Sequence, residues 1–186
     1  MIREYINLLN PDRELRGNSK QYANWMSVLE DNSCRPCVYN HGKIVDISTL
    51  RNQSEVEAHP NCQCRYVPMR TKVVGTATKM GYNGADFYRY AYKTLPEYYV
   101  DKNTATAAGW DKKKGNLHKV LPGKSIGGDI YTNENQKLPS APDRIWYEAD
   151  LNYEGGKRNR QRLLYSNDGL LFVTYDHYRT FYEITA

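Results

Sequence analysis

The chain has no apolar run that approaches the ~18 residues a membrane-spanning helix needs, which excludes a helical bilayer span and predicts no membrane partner. Met1–Asn10 also lacks an apolar core of the kind that drives secretion, so any export is expected to use another route. Phenylalanine is scarce: 3 Phe stand against 17 Tyr, so most aromatic rings carry a hydroxyl that can serve a polar ligand while the ring packs. Cysteine is absent outside Ser33–Met69, which holds all four. There is no internal repeat and no low-complexity tract. The charge excess is small, +5 with a pI near 8.9, and is spread along the chain, so charge alone marks neither half as a nucleic-acid binder. What is present, 186 residues with 40% hydrophobic content, suffices for one ordinary domain or two small ones.

Three zones are predicted. Residues 1–72 read as a small helical, Cys-rich module. Tyr22, Trp25, Met26 and Leu29 fall at i, i+3, i+4 and i+7, the spacing of an amphipathic helix within Met1–Asn32, with Pro11 and Gly17 separating a shorter helix before it. Residues 73–84 are rich in Gly, Thr and Lys, lack periodicity and read as a linker. Residues 85–186 read as an α+β unit, helices packed on a roughly five-stranded antiparallel sheet. Phe87, Tyr88, Ala91, Tyr92 and Leu95 make a helical face that stops at Pro96, and Asp101 can cap a second helix ending at Gly109. Strands are expected at Gly128–Thr132, Arg144–Leu151, Gln161–Tyr165, Leu170–Tyr175 and Thr180–Ile184, with a hairpin turn at Ser166-Asn167-Asp168-Gly169.

In Ile145–Tyr153 the alternation puts Ile145, Tyr147, Ala149, Leu151 and Tyr153 on one strand face, and Trp146, Glu148, Asp150 and Asn152 on the other. The second face is too polar for a core and is expected to meet water or a cleft. Taken alone, a strand Glu near Arg158 and Arg162 reads as a surface ion pair, and His177 as an ordinary loop residue.

A longer pattern alters that reading. Ala107-Ala108-Gly109-Trp110, Lys114-Gly115-Asn116-Leu117, the stretch from Pro122 to Ile130, Trp146-Tyr147-Glu148-Ala149-Asp150-Leu151-Asn152-Tyr153, Arg158-Asn159, Arg162-Leu163-Leu164-Tyr165-Ser166 and Asp176-His177-Tyr178-Arg179-Thr180-Phe181 together resemble the barnase-type secreted bacterial ribonucleases. Trp146 to Phe181 fits that pattern without a gap. The resemblance implies an endoribonuclease acting on single-stranded RNA with no catalytic cofactor. It implies Glu148 as general base, His177 as general acid, Arg158 and Arg162 as phosphate-binding arginines, Lys102 as their supporting lysine and Tyr178 as the tyrosine beside the acid. It implies that Thr132, Asn133, Glu134 and Asn135, in the loop running on to Gln136 and Lys137, hold the base 5′ to the cut. Here the chain departs from the family: Asn135 stands where the guanine-binding glutamate is expected and Glu134 where a basic residue is, so guanine preference is expected to relax, unless a one-residue loop shift brings Glu134 into that role. The resemblance further implies an acidic, barstar-like inhibitor as a partner.

The cysteines form Cys34-x2-Cys37 and His59-Pro60-Asn61-Cys62-Gln63-Cys64. Such spacings suit a structural zinc on Cys34, Cys37, Cys62 and Cys64, or with His59 in place of Cys62; His41 also lies nearby in sequence. Two disulfides or free thiols are the alternatives. This segment resembles the Cys/His-rich tail of tailed-phage minor head proteins, which implies phage head or portal components as partners and a prophage origin. The combined expectation is a secreted or virion-delivered toxin acting in the cytoplasm of a target cell. The alternative is a non-catalytic phage structural or RNA-binding protein that retains the fold.

Overall fold

The computed structural model describes residues 15–27, 34–48, 62 and 64–186. Nine strands among these residues form one sheet: β1 (Leu15–Met26), β2 (Ile44–Asp46), β3 (Arg65–Val73), β4 (Tyr99–Val100), β5 (Ser125–Tyr131), β6 (Trp146–Asp150), β7 (Arg162–Ser166), β8 (Leu171–Thr174) and β9 (Tyr182–Thr185). Their order across the sheet is β2-β1-β3-β9-β8-β7-β6-β5-β4. The helices are α1 (Arg35–Asn40), α2 (Ala85–Tyr92), α3 (Lys102–Ala107) and α4 (Leu117–Val120).

The five strands expected from sequence are β5 to β9, each antiparallel to the next. Ser166 to Gly169 makes the β7–β8 turn, with Gly169 at φ 99°, a conformation that favours glycine. Asp101 caps α3 as expected, accepting from Thr104 N at 2.7 Å. The helix before it ends at Tyr92, earlier than Pro96 requires, because Lys93 turns into the left-handed region at φ 61°.

The sheet is larger than the five strands expected because the N-terminal region adds three and Tyr99–Val100 adds a fourth, β4, parallel to β5. The segment read as a helix around Tyr22 is strand β1. It lies between β2 and β3, both antiparallel to it; Tyr22 packs into one core and Trp25 against the cysteines, so apolar residues fall on both of its faces and do not alternate. Tyr22, Trp25 and Met26 imitate helical spacing for that reason; Leu29 and the shorter helix near Pro11 lie outside the described residues. The helix that does form here is α1, with Cys34 as its N-cap and Pro36 in its first turn. β3 then pairs in parallel with β9, Thr71 opposite Glu183. The stretch expected as a linker is packed: Ala77 and Thr78 are buried, and Gly75 N and Ala77 N donate to the buried Asp86 carboxylate of α2 at 2.7 and 3.0 Å. Its aperiodicity comes from following a local hydrogen-bond path; it is not a free spacer.

Two cores lie on opposite faces of the sheet. One gathers Ala85, Ala149, Leu151, Leu163, Val173 and Ile184. The other gathers Trp146, Leu164, Phe172 and Phe181 with Tyr22, Ile44 and Met69 from the N-terminal strands. Tyr22 meets Phe172 edge to face at 5.7 Å between ring centroids. The N-terminal strands are therefore part of the wall behind β6 to β8. Met69 is fully buried in that wall. Met69→Ala is expected to destabilise the C-terminal strands as well as the N-terminal ones, by about 2–5 kcal/mol in one cooperative urea transition. A transition in which only part of the fluorescence change shifts would show that the two regions unfold independently.

Candidate active site

Strand register assembles the site. On β6, Glu148 and Asp150 are two residues apart and share a face. Asp150 sits opposite Arg162 of β7, and Glu148 sits between Asp129 of β5 and Leu164 of β7. Gly127 lets β4 and β5 close on this edge: a Cβ there would meet Tyr99 Cδ1 at 2.6 Å and the Ala149 Cβ at 2.8 Å. That closeness brings Tyr99 over the sheet, where its hydroxyl donates to Asp150 O. It also brings the start of α3 to Asp129, which accepts from Lys102 N at 3.1 Å.

Of the two surroundings expected for the polar face of β6, water or a cleft, Glu148 meets the cleft. Trp146 is buried in the second core, and Glu148 and Asp150 are 7% and 1% exposed. Asp150 accepts two bonds from Arg158, at 2.7 and 2.6 Å, in the paired geometry guanidinium favours. Arg162 Nε lies 3.0 Å from Asp150 Oδ1 without hydrogen-bond alignment, a charge contact only. Its NH1 donates to Asn159 O and Gln161 O at 2.8 and 2.7 Å. One buried anion thus seats two cations. Asp150 was missed as a site residue because in sequence it is one more acid on a polar strand face.

Glu148 receives Lys102 Nζ at 2.7 Å and the Tyr178 hydroxyl, with Arg158 NH2 3.8 Å away. Burial alone would raise its pKa, but Lys102, Tyr178 and Arg158 outweigh burial and hold it below the usual 4.5, so the carboxylate is ionised at neutral pH. Burial and the bond to Glu148 raise the Tyr178 phenol above its ordinary range and keep it a donor. Lys102 serves Glu148 directly; no bond joins it to the arginines among the described contacts.

His177 and Tyr178 both have left-handed backbones, φ 62° and 66°. Adjacent non-glycine residues of this kind are strained, and strain persists only where surroundings enforce it. Asp176 supplies the enforcement: its carboxylate accepts from Thr174 Oγ1, Arg179 N and both the backbone and hydroxyl of Thr180, at 2.7 to 3.0 Å. Tyr178 N donates to Thr174 Oγ1 at 3.0 Å and His177 N to Arg160 O at 3.0 Å. Partial burial, then Arg162 and Arg160, lower the His177 pKa below its ordinary 6.5.

Lys102, Glu148, Arg158, Arg162, His177 and Tyr178 all line one cleft of about 770 Å³. Thr132, Asn133, Glu134 and Asn135 do not line it; they form the adjoining loop, tied to it through Lys137 Nζ, which donates to Tyr178 O at 3.0 Å. The Asn133 side chain is buried and bonds both N and O of Leu138, so it holds the loop, while Thr132, Glu134 and Asn135 are exposed. The cleft therefore offers an ionised carboxylate, an imidazole and fixed cations around a space open to an anion.

The family model described as ribonuclease matches residues 85–185, more than half of the chain. The chain belongs to the ribonuclease family. It is 52% identical over 103 residues to a ribonuclease of Heyndrickxia coagulans, covering 55% of this chain and 94% of that relative. The ribonucleases of Bacillus intermedius and Bacillus pumilus are equally similar, but the chain spans only 64% of each. The ribonuclease match begins at α2, so β1 to β3 and the cysteines precede it.

The cysteines form a separate cluster. Cys37 Sγ lies 3.7 Å from Cys62 Sγ and 3.2 Å from Cys64 Sγ, well beyond the ~2.05 Å of a disulfide. The three sulfurs lie within 4.8 Å of one another, a set that could hold a metal ion. A tetrahedral zinc with bonds of about 2.3 Å needs sulfurs about 3.8 Å apart, near the spacing present. Cys34 lies beside Cys37 but outside that set: its sulfur accepts from Cys37 N at 3.4 Å, and the thiols of Cys34 and Cys64 together push the Cys37 pKa up. His41 Nδ1 is engaged by Ser27 N at 3.2 Å, and His59 lies outside the described residues.

Asp150→Ala would leave two buried guanidinium groups without their counter-ion. It is expected to cost about 3–5 kcal/mol in urea denaturation, the range for breaking a buried pair from one side. A loss below 1 kcal/mol would show that the arginines are seated by their backbone contacts alone.

Proposed function

We propose that the chain is a metal-independent endoribonuclease that cleaves single-stranded RNA by transesterification. Glu148 takes the proton from the substrate's 2′-hydroxyl, O2′ attacks phosphorus, and the 5′-oxygen leaves with a proton from His177. The product is a 2′,3′-cyclic phosphate, which water then opens. Arg158 and Arg162 meet the phosphoryl oxygens as negative charge gathers there, and being fixed beforehand they need no reorganisation. Lys102 and Tyr178 keep Glu148 ionised and oriented. The single observation that carries this reading is a buried carboxylate held ionised in the same cleft as His177 and a pair of seated arginines. The nucleophile belongs to the substrate, so neither a nucleophilic side chain nor a catalytic metal is required. The rival reading, a non-catalytic phage structural or RNA-binding protein, gives no reason for an ionised carboxylate beside an acid-capable imidazole.

In the same reading, residues 85–186 are the catalytic unit and residues 1–72 an accessory one carrying a structural zinc on Cys34, Cys37, Cys62 and Cys64. Its biological role is an antibacterial toxin, secreted or carried by a virion into the cytoplasm of a target cell. The cationic cleft suits an acidic, barstar-like inhibitor, and the cysteine segment's likeness to phage minor head proteins supports head or portal components as partners.

The chemistry fixes the pH profile. Activity needs Glu148 deprotonated and His177 protonated, so kcat/KM should rise through the Glu148 pKa, below 4.5, and fall through the His177 pKa, below 6.5. The optimum of kcat/KM is thus expected on the acid side of 6.5. Bound phosphate favours the imidazolium, so the alkaline limb of kcat should lie higher than that of kcat/KM. Glu148→Ala and His177→Ala should each cut kcat by about 10²–10⁴ and remove the acid and alkaline limbs respectively. A His177→Ala enzyme that retains wild-type rate and alkaline limb would show that another group is the acid.

Zinc and catalysis should separate. Elemental analysis is expected to give one zinc per chain, lost in Cys37→Ser. Chelation should lower the melting temperature while RNA cleavage at 25 °C persists. Cleavage that stops with EDTA and returns with Mg²⁺ would overturn metal independence.

A further inference from the structure

A second cavity, of about 570 Å³, lies where the N-terminal strands meet the catalytic unit. Its cationic lining comes from both: Arg70 of β3 on one side, Lys137 and Arg179 on the other, and among the described residues no carboxylate lines it. Met26, Val67 and Phe181 give it an apolar surface. Arg179 lines this cavity and the catalytic cleft alike, so the two are adjacent along one surface. Lys137, which ends the loop beside the catalytic cleft, lines it too and is fixed by its bond to Tyr178 O.

We propose that this cavity is a further RNA subsite, which holds a nucleotide beyond the one contacted at the scissile phosphate. The inference rests on the endoribonuclease reading. The volume falls within the roughly 300–1,000 Å³ that accommodates small organic ligands. Single-stranded nucleic acid is bound by cations that track the backbone together with apolar or aromatic surface for the bases, and this cavity supplies both. An acidic protein would match the cations too, but the run of this cavity into the catalytic cleft through Arg179 favours the strand that the cleft itself holds. Arg70 lies before the ribonuclease match, so the N-terminal strands would add substrate reach that the catalytic unit alone does not have. Arg70 is exposed and has no ion-pair partner among the described residues, so its charge is available to a phosphate.

The test compares a dinucleotide with a decanucleotide of the same scissile pair, in wild type, Arg70→Ala and Arg70→Glu. The dinucleotide cannot reach the cavity, so its kcat/KM should be unchanged. KM for the decanucleotide should rise about 2–5-fold in Arg70→Ala, as for loss of an exposed ion pair, and further in Arg70→Glu. The salt slope of decanucleotide binding should fall by about 0.7 for the lost phosphate contact. Binding of the 2′-deoxy decanucleotide, which lacks the nucleophile, should weaken in parallel; this reads the subsite even if wild type fails to cleave the dinucleotide, an outcome that would count against the enzyme reading alone. Equal behaviour of both Arg70 variants and wild type toward the decanucleotides would overturn the proposal. So would Arg70 variants that lose affinity for poly-glutamate while binding the 2′-deoxy decanucleotide as wild type does, since the cavity would then serve an acidic protein.

Discussion

The buried Asp150 carboxylate is the constraint around which the cleft is built. Two guanidinium groups from neighbouring turns of chain converge on one anion that is 1% exposed. Without it, Arg158 and Arg162 would repel each other and their long side chains would sample many rotamers. With it, the cluster keeps one net positive charge and a fixed direction. The carboxylate is expensive to bury, and the two cations offset that cost. Because Asp150 and Glu148 alternate with Ala149 on one strand, the same backbone that seats the arginines sets where the second carboxylate lies. β6 therefore positions a cation pair and an ionised acid in a single rigid element.

A second constraint works in the opposite direction, holding strain in place. The backbone at His177 and Tyr178 is left-handed at two successive non-glycine positions. The four bonds accepted by Asp176 over-determine that turn. The result turns the imidazole and phenol toward the cleft from a short segment between β8 and β9. The phenol then closes the network by donating to Glu148, so the loop and β6 are coupled through one hydrogen bond.

Local chemistry was legible in the sequence and long-range pairing was not. The Asp101 cap, the Ser166–Gly169 turn and the strands β5 to β9 depend on residues close in the chain, and composition and alternation reveal them. The resemblance points to Lys102, and within its gap-free stretch from Trp146 to Phe181 to Glu148, Arg158, Arg162, His177 and Tyr178; these share one cleft. Asp150 was hidden because its partners are found only once β6 and β7 are in register. Strand β1 reads as a helix because a strand with apolar residues on both faces loses its alternation, and Tyr22, Trp25 and Met26 then fit a helical stripe equally well. The segment from Val73 to Gly84 reads as a spacer because the acceptor that orders it, Asp86, lies beyond it in α2.

The N-terminal strands also bear on base recognition. β2 is only three residues long, yet Ile44 N donates to Lys137 O at 2.7 Å and Lys43 Nζ reaches Gln136 Oε1 at 3.4 Å. β2 is itself fixed to β1 near the cysteine cluster, through Gly42 N to Trp25 O at 2.7 Å and Trp25 N to Lys43 O at 2.8 Å. The loop from Thr132 to Lys137 is thus clamped at its far end by β2 and internally by the two Asn133–Leu138 bonds. Asn133 and Gln136 both occupy left-handed backbone, φ 50° and 48°, which ties the turn to particular residues. A one-residue slip that carried Glu134 toward the place of Asn135 would break the Asn133 bonds and move the left-handed positions onto new side chains. Each buried hydrogen bond left unmade costs about 1–3 kcal/mol. On the proposed reading a neutral amide in place of a carboxylate weakens the guanine contact by roughly 1–2 kcal/mol, the gap between charged and neutral hydrogen bonds. The slip would recover no more than that while breaking two bonds, so the clamp favours Asn135 at the base-facing position and a relaxed preference for guanine.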